Sequence, residues 1–205
     1  MALYGGSSWT SATSLPAAGR DYGGAGISTA GVLLSGNADP SPANTNVLNY
    51  NGSSWTSGTA FNTARIGAIG SVGGTQTATL MVGGRIVPSA IANVESWNGS
   101  SWTSGTSYPI AISTQATSKN APYTSNICAG GNNPSPPAIY SAANLWNGSG
   151  WTATTSLPAN RFVAGGIGST QSSFIVAGGG DGVSTLGSTF AYSAAALATK
   201  TITTS

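Results

Sequence analysis

Short apolar runs closed by small residues recur along this chain at an even spacing. They read LLSGN (33–37), MVGGR (81–85), CAGGN (128–132) and VAGGG (176–180), separated by 48, 47 and 48 residues. A second marker runs in parallel, because Trp9, Trp55, Trp102 and Trp151 are 46, 47 and 49 residues apart. Two independent markers at one period define a repeat array. Within a period the apolar pattern predicts four strands. In the second, ARIGAIGS (64–71) is Gly-rich and suits a crowded innermost strand, and TATLMVGG (77–84) suits a strand buried on both faces. ANVESWN (92–98) and SSWTSG (100–105) form the outer pair. No window shows helical period with caps, and the glycine and β-branched content opposes helix.

The outer pair is joined by a repeated phrase: YNGSSWTSG (50–58), WNGSSWTSG (97–105) and WNGSGWTAT (146–154), with YGGSSWTSA (4–12) as an opening copy. Asn-Gly favours a two-residue type I′ hairpin turn. Such a turn at 51–52 sets Tyr50 opposite Ser53 and leaves Tyr50 and Trp55 diagonal on one side of the hairpin. All six tryptophans fall in this phrase. Each is therefore expected to be a buried anchor, removing roughly 200 Å² from water. Asn-x-Ser is also a glycosylation acceptor, but the start MALYGGSSW has no basic-then-apolar leader, so no secretory route is expected.

Composition narrows the function. Only 5% of the 205 residues are charged, six Lys/Arg against four Asp/Glu, so no basic patch for nucleic acid is expected. No apolar run reaches membrane-spanning length, so no membrane partner is expected. Cys128 is the sole cysteine and takes the place of Leu33, Met81 and Val176, which makes it a small buried hydrophobe. Histidine is absent, which removes the commonest general base and most zinc and copper sites. The four acids are Asp21, Asp39, Glu95 and Asp181, and nothing in the sequence fixes a facing pair for glycoside hydrolysis. GGGDG (178–182) offers one carboxylate, too few for a calcium loop. The reading is non-enzymatic, with no cofactor and no metal.

The period near 48, the diglycine ending an apolar strand and the tryptophan of the last strand together resemble the kelch repeat. That resemblance implies a β-propeller with one four-stranded blade per repeat. The low charge, the NGSSWTSG phrase and the ending KTITTS are more particularly similar to short kelch-like proteins of tailed bacteriophages. The fold expected is all-β, one domain over 1–205. Its blades arise from repeats at about 9–54, 55–101, 102–150 and 151–195, and 196–205 is a tail. The copper ligands of kelch-type galactose oxidase are histidines and do not carry over. The sialidase Asp-box fits Gly52-Ser53-Ser54-Trp55, but its Asp position holds Tyr50. Departures from the repeat are Ile112 in place of the arginine seen at Arg20, Arg65 and Arg161, Ser35-Gly36 in place of diglycine, and Tyr192 with no tryptophan after it. The opening strand therefore has no blade and the last blade lacks a strand. This predicts closure of the ring by residues 3–11 pairing beside 187–193.

Arg20, Arg65 and Arg161 begin inner strands. Two roles are open to them: satisfying loop carbonyls of the adjacent blade, or ringing the channel mouth as a polar site for carbohydrate or an anion. Up-and-down topology puts the uniform Asn-Gly turns on one face. The other carries NADPSPANT, RIVPSAIA, NNPSPPAIYS and GDGVSTLGS, together with nine of the ten prolines. Pre-ordered, diverse loops on a uniform scaffold suit recognition. The candidate ligand-binding set is Arg20, Arg65, Arg161, Asn37, Arg85, Asn132, Asn133 and Asp181. The function expected is a phage virion protein, a tail-fibre or surface module whose loops meet host glycan or envelope protein, beside other virion proteins and in several copies. The competing roles are a structural decoration or cementing protein of capsid or tail, and a cellular kelch-type interaction scaffold.

Overall fold

The computed structural model describes residues 2–4, 6–36, 42–67 and 72–194. Every regular element among them is a strand or a turn. The chain opens with β1 (Ala2–Tyr4) and β2 (Trp9–Ser11). The first blade is β3 (Gly23–Ile27), β4 (Ala30–Leu34), β5 (Val47–Tyr50) and β6 (Trp55–Ser57). The second is β7 (Val72–Thr75), β8 (Ala78–Val82), β11 (Val94–Trp97) and β12 (Trp102–Gly105), with a small hairpin, β9 (Arg85–Ile86) and β10 (Ser89–Ala90), between its second and third strands. The third is β13 (Ala116–Thr117), β14 (Asn126–Ala129), β17 (Ala143–Trp146) and β18 (Trp151–Thr154), and carries β15 (Asn132–Pro134) and β16 (Pro137–Ile139) in the same place. Among the described residues the fourth has three strands, β19 (Gly165–Thr170), β20 (Ser173–Ala177) and β21 (Thr189–Ser193). This is the arrangement of a four-bladed, all-β propeller, and the apolar runs before the glycines form the second strand of each blade.

Three apolar clusters lie between successive blades. Val32, Leu34 and Val47 meet Phe61, Val72, Met81 and Trp102. Leu80, Val82 and Val94 meet Tyr108, Ile112, Cys128 and Trp146. Ala116, Ile127, Ala129 and Ala143 meet Ala164, Phe174 and Val176. Strand alternation explains the split: Leu80 and Val82 face the following blade while Met81 between them faces the preceding one. Cys128 is fully buried as its place in the period predicts, and burial pushes its thiol pKa well up.

The glycines after the second strand are the joints between blades. Gly84 N–H donates to the Ile112 carbonyl at 2.9 Å, and Gly131 N–H to that of Arg161 at 2.6 Å. At Gly83 a Cβ would stand 2.2 Å from the Ile112 oxygen, and at Gly130 2.5 Å from the Arg161 oxygen, both with positive φ. Only glycine permits that approach. The exception in the first repeat is accommodated, because Ser35 adopts φ 58° and its hydroxyl donates to the Arg65 carbonyl.

Two expectations are corrected. The Asn-Gly phrase is not a two-residue turn. Trp97 lies directly opposite Trp102, Tyr50 opposite Trp55 and Trp146 opposite Trp151, so the loop is the four residues Asn-Gly-Ser-Ser/Gly. The glycine takes positive φ, about 95° at Gly99, while the asparagine is absent from the positive-φ residues. Its side chain acts instead: Asn98 Oδ1 accepts from the backbone N–H of Ser100 (3.0 Å) and Ser101 (2.9 Å) and from the Ser100 hydroxyl. Such Asx closure competes with the I′ turn because it satisfies loop N–H groups directly. Asn98→Ala is expected to cost about 1 kcal/mol, the usual worth of exposed turn hydrogen bonds, measured by urea unfolding. Ser100→Ala should cost less, since the two backbone bonds remain.

The ring is not closed by the opening strand. β2 pairs with β1, Tyr4 opposite Trp9 and Ala2 opposite Ser11, and among the described residues β21 pairs with β20 alone. A hairpin closes a loop of a few residues, whereas pairing β2 with β21 must bring together chain segments nearly the whole sequence apart. Trp9 is accordingly 70% exposed and not an anchor.

Candidate recognition surface

Two of the three repeat arginines are committed to their own blades. Arg65 is fully buried. Its guanidinium donates to the carbonyls of Gly83 (2.7 Å) and Asn93 (3.0 Å), to its near neighbour Thr63 (3.1 Å), and to the Glu95 carboxylate at 2.5 Å. Burial lowers the Arg65 pKa, and Glu95 opposes that shift. Glu95 also accepts the backbone N–H groups of Asn62 (2.7 Å) and Thr63 (3.0 Å), so the pair pins the segment entering the blade to its third strand. Arg161 is also buried, donating to the Gly178 carbonyl (3.1 Å) and the Ser188 hydroxyl (3.2 Å) with its guanidinium 4.8 Å from the Phe190 ring centre. The acceptors lie in each arginine's own blade, not the adjacent one as the sequence suggests. Arg20 is exposed.

Strand register links these arginines to what faces them. Glu95 opposite Met81, Asn144 opposite Cys128 and Phe190 opposite Val176 occupy one position of the period. For the two buried arginines that position is a carboxylate or an aromatic face, and in the first repeat, where Arg20 is exposed, it is Leu48. Where Ile112 replaces it, Asn144 donates to the Tyr108 hydroxyl instead, at 2.8 Å. Glu95 was visible in the sequence only as one of four acids. The other repeats hold Leu48, Asn144 and Phe190 at its position, so no repeat signal in the sequence singles it out as the partner.

The loop face is built on β9–β10, β15–β16 and the segment 178–188. Sequence reading treats the first two as plain loops, but both are two-stranded hairpins. They are tied together, because Asn133 Oδ1 accepts the Ala90 N–H at 3.0 Å and that of Ser135 at 3.2 Å. Asn132 Oδ1 accepts the hydroxyls of Ser113 and Thr114, both at 2.9 Å. Arg85 is half-buried at the base of its hairpin and pairs by backbone with Ile66. Asp181 is exposed and accepts the N–H groups of Val183 (2.9 Å) and Ser184 (2.8 Å), which lowers its carboxyl pKa. Asn37 lies outside the described residues. The proposed set is thus spread: Asn132, Asn133 and Arg85 come together, Asp181 shapes its own turn, and Arg65 and Arg161 are interior. Hydropathy pattern did not single out the apolar tips of these loops, Ile86, Val87 and Val183, the last 93% exposed.

Near the inner strands, Lys119 Nζ donates to the Val72 carbonyl at 2.8 Å, and Lys119 and Asn120 border a cavity of about 420 Å³ along β3. Desolvation lowers the Lys119 pKa to about 8. A lysine depressed in the fold binds fewer protons there than in the unfolded chain between that value and the ordinary 10.5. Stability therefore rises with pH across this window. Relative to Lys119→Met, the wild type is expected to gain stability from pH 8 to 10, and comparing the two chains removes the contributions of groups that Lys119 does not act on. Parallel urea-unfolding curves with no pH-dependent difference would refute it. Among the described residues no group of three His, Cys, Asp or Glu converges as a metal site.

A scan against protein-family models and a search of curated proteins find no match to this chain.

Proposed function

We propose that this is a non-enzymatic recognition module whose loop face binds a host-surface glycan or envelope protein. The observation that carries this reading is the contrast between the two ends of the blades. One end repeats the same Asn-closed turn at Asn51, Asn98 and Asn147. The other presents loops of different sequence: two hairpins braced by Asn133, with Ile86 and Val87 exposed, and a turn closed by Asp181, with Val183 exposed. Apolar tips on braced loops lose little conformational entropy on binding, which favours affinity from few contacts. The kelch-like repeat and the low-charge, phage-like style of the sequence support a place on a virion surface or tail, beside other virion proteins.

Triple substitution Ile86→Asp, Val87→Asp, Val183→Asp is the test. Binding on a glycan array or to host envelope should fall at least tenfold while thermal stability stays near wild type, since these side chains are exposed. Binding that survives the triple variant overturns the loop-face assignment. A map of purified virions distinguishes the second reading, a structural decoration protein, which would bury the loop face against capsid or tail instead of presenting it outward. The end of the blade series supports that second reading, since among the described residues β21 pairs with β20 alone.

A further inference from the structure

Each outer-strand tryptophan occupies a repeated socket. Trp55 Nε1 donates to the carbonyl of Thr13, Trp102 Nε1 to that of Thr59 and Trp151 Nε1 to that of Thr106. The acceptor always lies four residues after the preceding repeat's tryptophan. The residue six after that tryptophan packs on the ring, Phe61 on Trp102 and Tyr108 on Trp151. The cross-strand aromatic completes the socket: Tyr50 at 4.8 Å from Trp55, Trp97 at 5.5 Å from Trp102, Trp146 at 4.9 Å from Trp151.

The same period assigns a fourth socket to Thr155, Leu157 and Tyr192. These residues line a cavity of about 300 Å³ between the third and fourth blades, walled also by Phe174, Val176 and Phe190. Among the described residues no tryptophan strand stands beside the fourth blade, and β21 pairs with β20 alone. Meanwhile Trp9, on the one strand with the sequence WTS that belongs to no blade, is 70% exposed.

We propose that this cavity is the docking site for Trp9 of a second copy of the chain, with β21 taking the place of β1 as the partner of the second copy's β2. Trp9 then stands opposite Tyr192 and Thr10 opposite Ala191, the register of Tyr50 with Trp55. The indole N–H reaches the Thr155 carbonyl. Three residue pairs of the β1–β2 hairpin are exchanged for a completed four-stranded blade and a buried indole, and an isolated two-stranded hairpin is marginal to begin with. The donor is another copy because the chain's own first blade does not cover the far face of the fourth, where Ile167 and Ile175 stay exposed. Thr13, just after β2, donates to the Ser53 carbonyl and so holds that end to the first blade. The far face of the fourth blade is open, with Ile167 62% exposed and Ile175 also exposed. A copy docked head-to-tail brings its first blade onto that face. Its Leu33 stands where Met81, Cys128 and Val176 face the blade before them. The contact is heterologous, so it builds a ring or a longer assembly.

Full-length Thr10→Cys and Ala191→Cys chains, mixed and oxidised, should form a disulfide-linked heterodimer in which Cys128 takes no part. Adding Trp9→Ala to the first chain should lower that yield at least about tenfold, equivalent to about 1.4 kcal/mol. Sedimentation of the wild type should show concentration-dependent association over roughly 1–100 µM. A monomer-sized disulfide in a single chain carrying both Thr10→Cys and Ala191→Cys means the same chain supplies the strand, and overturns the proposal. So does a cross-link that forms only after residues 195–205 are deleted, which makes the tail the occupant. A wild type that stays monomeric and does not cross-link also overturns it.

Discussion

Glu95→Ala is expected to destabilise the protein by about 3–5 kcal/mol, the cost of stripping one partner from a buried ion pair. The reason is not the pair alone. Its carboxylate is the acceptor for the Arg65 guanidinium and for two backbone N–H groups, those of Asn62 and Thr63. Removing it leaves a buried cation and two orphaned donors inside the second blade. Against a total stability of about 5–15 kcal/mol, that is enough to populate the unfolded chain. Glu95→Gln keeps an acceptor and should lose less. The double change Arg65→Met, Glu95→Leu should recover much of the loss, because a well-packed apolar pair often replaces a buried ion pair without penalty. A double-mutant cycle by urea unfolding measures this. If Glu95→Ala melts like the wild type, the pair does not hold the blade.

The tryptophans should fall in a graded series. Trp102→Ala and Trp146→Ala remove rings buried in the first and second inter-blade clusters and should each cost about 3–5 kcal/mol. Trp55 and Trp151 are half-buried and should cost less. Trp9→Ala should be within about 0.5 kcal/mol for the isolated chain, as for other exposed substitutions. Equal losses at all five positions would show that burial does not set the order. Denaturant midpoints at constant m-value provide the comparison.

The sequence by itself determined the repeat, the four blades, the second strand of each and the glycine joints, because each of these follows from a local rule. Apolar alternation, diglycine and a tryptophan every period are readable one repeat at a time. Cys128 was legible as a core residue for the same reason. What only the tertiary structure decided are the relations between distant segments. Asn98 bonding to Ser100 and Ser101, where an I′ turn was expected, goes with Trp97 standing directly opposite Trp102, a register that the four-residue loop permits and a two-residue turn does not. Arg65 could have faced the channel. It turns inward because Glu95, 30 residues away, meets it there. The opening strand could have completed the last blade. It folds on β1, since a short hairpin costs far less chain entropy than a closure spanning the whole array. Pattern fixes which residues form strands and which side they bury. Pairing partners across long sequence separation are set by the balance of closure entropy against burial, which only the assembled blades reveal.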